Sequence, residues 1–170
     1  MKAEDFKLKK LDKEGLNTLV DWAATEGWNP GKYDFEVFWE TDPDGYYGFF
    51  YEDKLIAGGA IISYNQEYGI MGLFIVRPDF REKGIGKKLW YLRRDLLIKR
   101  LHDGSLIGMD GVVAMQPFYE KGGFEIAFRD ERLVEKYKAQ YVFECARMYC
   151  GKSQKPDMQA VYGISTFELG

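Results

Sequence analysis

Residues 70 to 101 constrain this chain more than any other stretch. Ile70-Met71-Gly72-Leu73-Phe74-Ile75-Val76 is short, apolar and rich in β-branched and aromatic residues, and it stops at Arg77-Pro78-Asp79. That is the pattern of a buried strand ending in a turn. Beyond Arg81-Glu82-Lys83-Gly84-Ile85-Gly86, the residues Ile85, Leu89, Leu92 and Leu96 recur every three or four positions, with Leu97 and Leu101 widening the stripe. A helix therefore starts at the glycines. Its first backbone N–H groups have no partner inside the helix, and the helix dipole favours negative charge there. Glycines allow an anion to approach the backbone closely, and Lys83, Lys87 and Lys88 add positive charge. This unit is built to hold a phosphorylated group.

Rival phosphate motifs fit less well. A P-loop requires Lys followed by Ser or Thr after its last glycine, whereas Gly86 leads to Lys87-Lys88-Leu89. A dinucleotide fingerprint requires a third glycine at position 89, which is Leu. Two glycines before a helix can also serve only as a tight turn, so the spacing to other motifs must decide.

Arg-x-x-Gly-x-Gly after a strand ending Val76-Arg77-Pro78 resembles the GNAT acetyltransferases, which bind acetyl-CoA. Phe118-Tyr119-Glu120-Lys121-Gly122-Gly123-Phe124, about forty residues on, is similar to that family's Tyr-Glu-Lys-x-Gly-Phe segment. Near the N-terminus, Ala23-Ala24-Thr25-Glu26-Gly27-Trp28-Asn29-Pro30-Gly31, followed by Asp34, Phe38 and Asp42-Pro43, resembles one bacterial-type subgroup with poorly defined acceptors. Members of that subgroup often carry an additional C-terminal module, for which this chain looks too short. The likeness covers residues 1–130 well and the remainder loosely.

The resemblance implies an α/β (α+β) fold with a central mixed, mostly antiparallel sheet flanked by helices. It implies acetyl-CoA as acyl donor, with the pyrophosphate held by the loop Arg81, Glu82, Lys83, Gly84, Ile85, Gly86 and Lys87. The pantetheine arm would pair with the backbone of Phe74, Ile75 and Val76, next to a bulge whose amide polarises the thioester carbonyl. Tyr119 matches the position whose hydroxyl often protonates the departing thiolate. Family members often have Asn seven residues before that tyrosine; here Val112 stands there, so that contact is absent or replaced.

Composition narrows the remaining classes. At 170 residues, with 46% hydrophobic and 16% aromatic content, the chain suits one globular domain with a real core. The first residues lack a signal-peptide stretch, and no apolar run reaches a membrane span. Cys145 and Cys150 form no metal or disulfide pattern, so reduced thiols in the cytoplasm and no metal are expected. A net charge of −3 disfavours nucleic acid and suits a cationic amine.

Along the chain, residues 6–11 alternate as a strand, Leu16, Leu19, Val20 and Ala23 mark a helix, and Asp34 opens a short second helix. Residues 46–51 and 55–64 read as a hairpin closed at Glu52-Asp53-Lys54, and Asn65-Gln66-Glu67 turns the chain into the strand before the glycine loop. Residues 106–111 read as a buried strand, 115–121 as a short helix and 124–128 as a strand. Leu133, Tyr137, Tyr141, Cys145 and Met148 keep helical spacing, while Tyr141-Val142-Phe143 is strand-like, and both readings stay open. The domain expectation is one unit over 1–170, with 131–158 an insertion and 160–169 a closing strand paired with 124–128.

For the chemistry, Glu26, Asp34 and Asp110 are candidate general bases, although carboxylates in such places more often cap a helix or face solvent. Trp28 and Asp34 are candidate acceptor-binding residues, and Trp22, Trp28 and Trp39 are candidate pocket walls or plain core. His102 follows the long helix, where a cation complements the dipole. With no convincing nucleophile constellation, the expected reaction is direct attack by a primary amine, small or lysine-like, in a ternary complex. A non-catalytic CoA-binding sensor or interaction module is the alternative, and a homodimer is an open arrangement for either.

Overall fold

The sheet is arranged around the strand that precedes the glycine loop. In the computed structural model, which describes residues 5–128, 138 and 145–152, the elements run as follows. They are β1 (Lys7–Lys10), α1 (Lys13–Thr25), α2 (Asp34–Thr41), β2 (Tyr46–Tyr51), β3 (Lys54–Tyr64), β4 (Tyr68–Val76), α3 (Ile85–Arg100), β5 (Leu106–Val112), α4 (Gln116–Lys121), β6 (Glu125–Phe128) and β7 (Cys145–Cys150), with 3-10 turns at Pro78–Phe80 and Val113–Met115. The sheet order is β1-β2-β3-β4-β5-β7-β6. Every neighbouring pair is antiparallel except β4 with β5, which the α3 crossover makes parallel. The mixed sheet flanked by helices is the expected architecture.

Local chemistry explains the connections. Glu52 (φ 47°) and Asp53 (φ 58°) both adopt positive φ, as a two-residue turn matched to strand twist requires. Asn65 (φ 52°) and Gln66 (φ 64°) also take positive φ, in a three-residue loop that pairs Tyr64 with Tyr68. Asp12 caps α1 by accepting from the Gly15 N–H at 2.9 Å. Asp42, just past α2, accepts from the Ser63 N–H at 2.8 Å and from Arg100 at 2.7 and 2.8 Å, tying α2, β3 and the end of α3 together.

Alternation along the central strands sorts the core onto two faces. Ile62 and Ile70 pack with Leu16, Leu19 and Phe38 under α1 and α2. Their neighbours Ile61 and Met71 pack with Trp90, Leu97, Tyr119 and Phe124 under α3 and α4. The buried face of α3 is Ile85, Leu89, Trp90, Arg93 and Leu97. The expected stripe is thus turned: Leu92 and Leu96 lie at its margin, and an arginine occupies its centre.

The C-terminal part departs from expectation in one respect. Residues 145–150, assigned to an insertion with helix and strand both open, form β7, which pairs with β5 on one side and β6 on the other. The partner seen for β6 is therefore β7; residues 160–169 lie outside the described residues. Among the described residues no helix is long and apolar enough to cross a membrane.

Two irregularities in β4 prepare a site. Ala60 pairs with Gly72 and Gly58 with Ile75, so three steps on β4 face two on β3. Leu73, inside this bulge, is held at φ 48°. On the other side, β4 pairs with β5 only through Tyr68–Ile70 against Leu106–Gly108. The two strands then part, and the gap between them opens as a cleft.

Candidate active site

The cleft has a volume of about 800 Å³ and is lined from both parted strands, the glycine loop, α4 and the end of α1. One wall is Leu73, Phe74, Ile75 and Val76 of β4, continuing into Arg81, Glu82, Gly84, Gly86 and Lys87. Because β5 has moved away, this edge of β4 offers backbone donors and acceptors to whatever fills the gap. At its upper end Gly84 caps α3 with φ 74°, a left-handed conformation that glycine adopts without strain. A Cβ at Gly86 would sit 3.2 Å from Val76 Cγ2, so the helix start lies close against the strand it follows. Free helix N–H groups and the exposed Lys87 face the same opening, an arrangement suited to an anion.

Most of the expected cofactor residues converge here, with two exceptions. Lys83 turns back, its Nζ donating to the Asp79 carbonyl at 2.5 Å, and is not part of the lining. The Ile85 side chain is buried in the core with Phe49, Ile56 and Leu89, where it anchors the first turn of α3. Arg81 donates from Nε to the Val76 carbonyl at 2.9 Å, bracing the loop on the strand.

The opposite wall comes from β5, β7 and α4: Met109, Asp110, Val112, Met115, Phe118, Tyr119 and Cys145. Tyr119 is 6% exposed, and its ring stacks on Trp90 at 5.8 Å. Burial pushes its hydroxyl up to about 12, with the Arg93 charge pulling the other way and Cys145 adding to the rise. The phenol is therefore protonated at neutral pH and able to donate.

The three candidate bases have different fates. Glu26 lies at the C-cap of α1 and lines the cleft, where its carboxylate pairs with Arg81. Asp110 also lines the cleft, but accepts from Arg147 Nε at 2.9 Å and Nη2 at 2.8 Å. Burial acts to lower the Arg147 pKa; the Asp110 charge and hydrogen bonds outweigh it, and the net shift is upward. Asp110 is thus the counter-ion of a buried cation. Asp34 is not brought to the cleft: it opens α2, with Oδ2 accepting from the Gly31 N–H at 2.8 Å. Of the aromatic candidates, Trp28 lines the cleft, while Trp22 and Trp39 pack against the core.

Among the residues not singled out from sequence are Arg147, Cys145 and Arg93. Arg147 and Cys145 lie in the stretch read as an insertion. Arg93 is fully buried at the centre of α3, its Nη2 donating to the Ala60 and Gly72 carbonyls at the bulge. Burial draws its pKa down to about 9, the nearby Tyr119 countering in part, so it is charged at neutral pH. A charged residue interrupting an apolar helical face was the available signal.

Comparison with known proteins agrees with this geometry. Residues 13–124 match the model of the acetyltransferase (GNAT) family. Holothin acyltransferase of Pseudoalteromonas sp. (strain SANK 73390) is 33% identical over 132 residues, which are 78% of this chain and 43% of the relative. This chain thus spans less than half of that protein's length. A candidate acetyltransferase from Pyrococcus horikoshii superposes with a TM-score of 0.82 at 14% identity, over 100% of this chain and 98% of that one. Arabidopsis thaliana Naa50, solved with the bisubstrate analogue CoA-Ac-MVNAL, superposes at 0.66 with 18% identity, over 88% of this chain and 99% of that one. The bulged strand, the parted sheet and the glycine loop opening α3 all fall within the family match, and the chain belongs to the GNAT acetyltransferase family.

Proposed function

We propose that this chain transfers the acetyl group of acetyl-CoA to a primary amine by direct attack. The observation that carries the reading is the divergence of β4 from β5 just where β4 bulges. Among the described residues it leaves an edge of β4 backbone without a strand partner, leading straight to the N-terminus of α3. The amides around Gly84, Gly86 and Lys87 suit a pyrophosphate, and the edge of Phe74, Ile75 and Val76 suits the amide-bearing arm. Val112 supplies no side-chain hydrogen bond, so the backbone edge carries that task.

The chemistry follows from what lies along the edge. The amine lone pair forms the C–N bond while the carbonyl oxygen takes up negative charge, stabilised by amides at the bulge. As that charge returns, the C–S bond breaks and the Tyr119 hydroxyl gives its proton to the sulfur. The amine releases a proton to solvent or to Glu26, and solvent reprotonates Tyr119. Glu26 serves as acceptor of that proton only when Arg81 releases it. Trp28, Met71, Met109, Met115 and Phe118 favour an acceptor with an apolar body next to its amine. A small amine and a lysine side chain both remain within the same chemistry.

The test is to titrate the protein with acetyl-CoA by calorimetry and then assay free thiol with a panel of amines. Micromolar binding with amine-dependent thiol release supports the reading. Binding without turnover on any amine favours a CoA-binding module instead. Because Cys145 lines the cleft, Cys145→Ala belongs in the same assay. Full turnover in that variant supports direct attack, whereas its loss together with a trapped acetyl-enzyme would replace it with a covalent route.

A further inference from the structure

The most unusual group outside the expected machinery is Arg93. Burying a guanidinium is costly unless its charge and donors are met. Its surroundings on α3 are apolar, Leu89, Trp90 and Leu97, and no ion pair joins it to a carboxylate among the described residues. Its Nε and Nη1 are buried with no hydrogen-bond partner among the described residues. A Met or Leu would fill this position at lower cost, so stability does not account for the arginine.

What Arg93 does touch is specific. Nη2 donates to the Gly72 carbonyl at 2.8 Å and to the Ala60 carbonyl. These two residues form the β3–β4 pair at which the register breaks. Leu73, the residue held at φ 48°, follows immediately. On the facing strand Gly59 carries no side chain, and a Cβ there would overlap the guanidinium. Room for the cation is therefore built into β3 beside the bulge. The guanidinium also lies 5.4 Å from the centre of the Phe74 ring, which lines the cleft, and its charge is felt by Tyr119.

We infer that Arg93 is a positioning residue for acetyl transfer, its buried guanidinium clamping the Ala60 and Gly72 carbonyls so that the β4 bulge keeps its amides aimed into the cleft. The inference rests on the acetyltransfer reading for its catalytic consequence, but not for its structural one. Bound to two carbonyls at the break, the cation fixes a strained backbone that two strands alone would relax toward a regular ladder. A preorganised donor is what charge development on a carbonyl oxygen requires. The loss should therefore fall on turnover rather than on donor affinity.

The experiment compares wild type with Arg93→Met, Arg93→Lys and Gly59→Ala. For each, acetyl-CoA affinity, kcat and KM are measured, together with amide hydrogen exchange at Leu73 and Phe74 in the free protein. Arg93→Met is expected to stay folded with acetyl-CoA affinity within about threefold of wild type. Its kcat should fall about 100-fold, the scale of one lost oxyanion donor, and exchange at the bulge should quicken. Arg93→Lys keeps charge and one donor direction and should recover part of the kcat. Gly59→Ala keeps the arginine but displaces it, and should reproduce the kcat loss.

A kcat within twofold of wild type in Arg93→Met, with unchanged exchange, overturns the inference. If Arg93→Met does not fold, the other two variants decide by the same criterion. Wild type that fails to turn over any amine sinks the acetyltransfer reading alone, because the exchange rates still report on the clamp. Wild-type turnover with silent Arg93 and Gly59 variants sinks the clamp alone.

Discussion

The two walls of the cleft are built from different materials. The β4 wall is main chain: a strand edge that β5 leaves beyond Ile70, a bulge at Leu73 and the N–H groups opening α3, with glycines where side chains would intrude. The facing wall is side chain: Tyr119, Met109, Met115, Phe118 and Asp110, the last locked to Arg147. Main-chain donors are fixed by the fold and carry little information about what acceptor binds. Under the acetyltransfer reading, the facing wall, its structural Asp110–Arg147 pair apart, is where acceptor choice resides. The difference teaches that donor recognition belongs to the architecture and acceptor recognition to its decoration.

Each wall can be broken separately. The largest effect is expected at the Asp110–Arg147 pair, whose side chains are 2% and 9% exposed. Asp110→Asn leaves a buried guanidinium uncompensated, costing about 3–5 kcal/mol and lowering Tm by roughly 10 °C in a thermal melt. Asp110→Leu combined with Arg147→Met should recover most of that loss; if it does not, the pair is more than structural. On the other wall, Gly86→Glu sets a negative side chain at the anion site. Acetyl-CoA affinity should drop at least 100-fold, about 3 kcal/mol, while the melt stays near that of wild type; unchanged affinity would remove the loop from the site.

Tyr119→Phe tests the boundary between the walls. Turnover should fall about 100-fold with acetyl-CoA affinity held; equal turnover excludes the phenol as proton donor. The same residue makes a pH prediction. Tyr119 and Tyr68 are both raised by burial to about 12 from 10, and Tyr46 is raised further. Above pH 10 the unfolded chain releases phenol protons that the folded chain retains, so stability is full below pH 10 and is lost as pH climbs toward 12. Denaturant midpoints should be insensitive to these groups from pH 7 to 9 and fall beyond 10, less steeply in Tyr119→Phe.

The smallest effect is expected at Glu26–Arg81, which joins the two walls at the surface with side chains 30% and 43% exposed. Glu26→Gln should cost under about 1 kcal/mol and the difference should vanish in high salt. A large loss of turnover in that variant would instead promote Glu26 to general base.

Much of the β4 wall is legible in the sequence. Period-two alternation, Pro78 and the two glycines placed the strand, turn and helix to within a residue or two, because each is dictated by local backbone preference. Tyr119 was legible through its motif. Arg93 was hidden because a helical stripe read by hydropathy skips a charged residue, and only α3 packing against the bulge shows what it bonds. Asp110 reads as a candidate base from sequence because its partner, Arg147, is thirty-seven positions away. Asp34 looked like a site residue, yet a three-residue turn to Gly31 claims its carboxylate.

Sequence alone determined the strand–glycine loop–helix unit on which the proposed anion site rests, since helix termini, turns and strand alternation are short-range consequences of residue type. Tertiary structure decided which carboxylates are neutralised, which strand enters beside β5, and that an arginine sits beneath the bulge. Those outcomes depend on contacts between residues distant in the chain, and the energy of a buried charge is set by its neighbours rather than by its own identity.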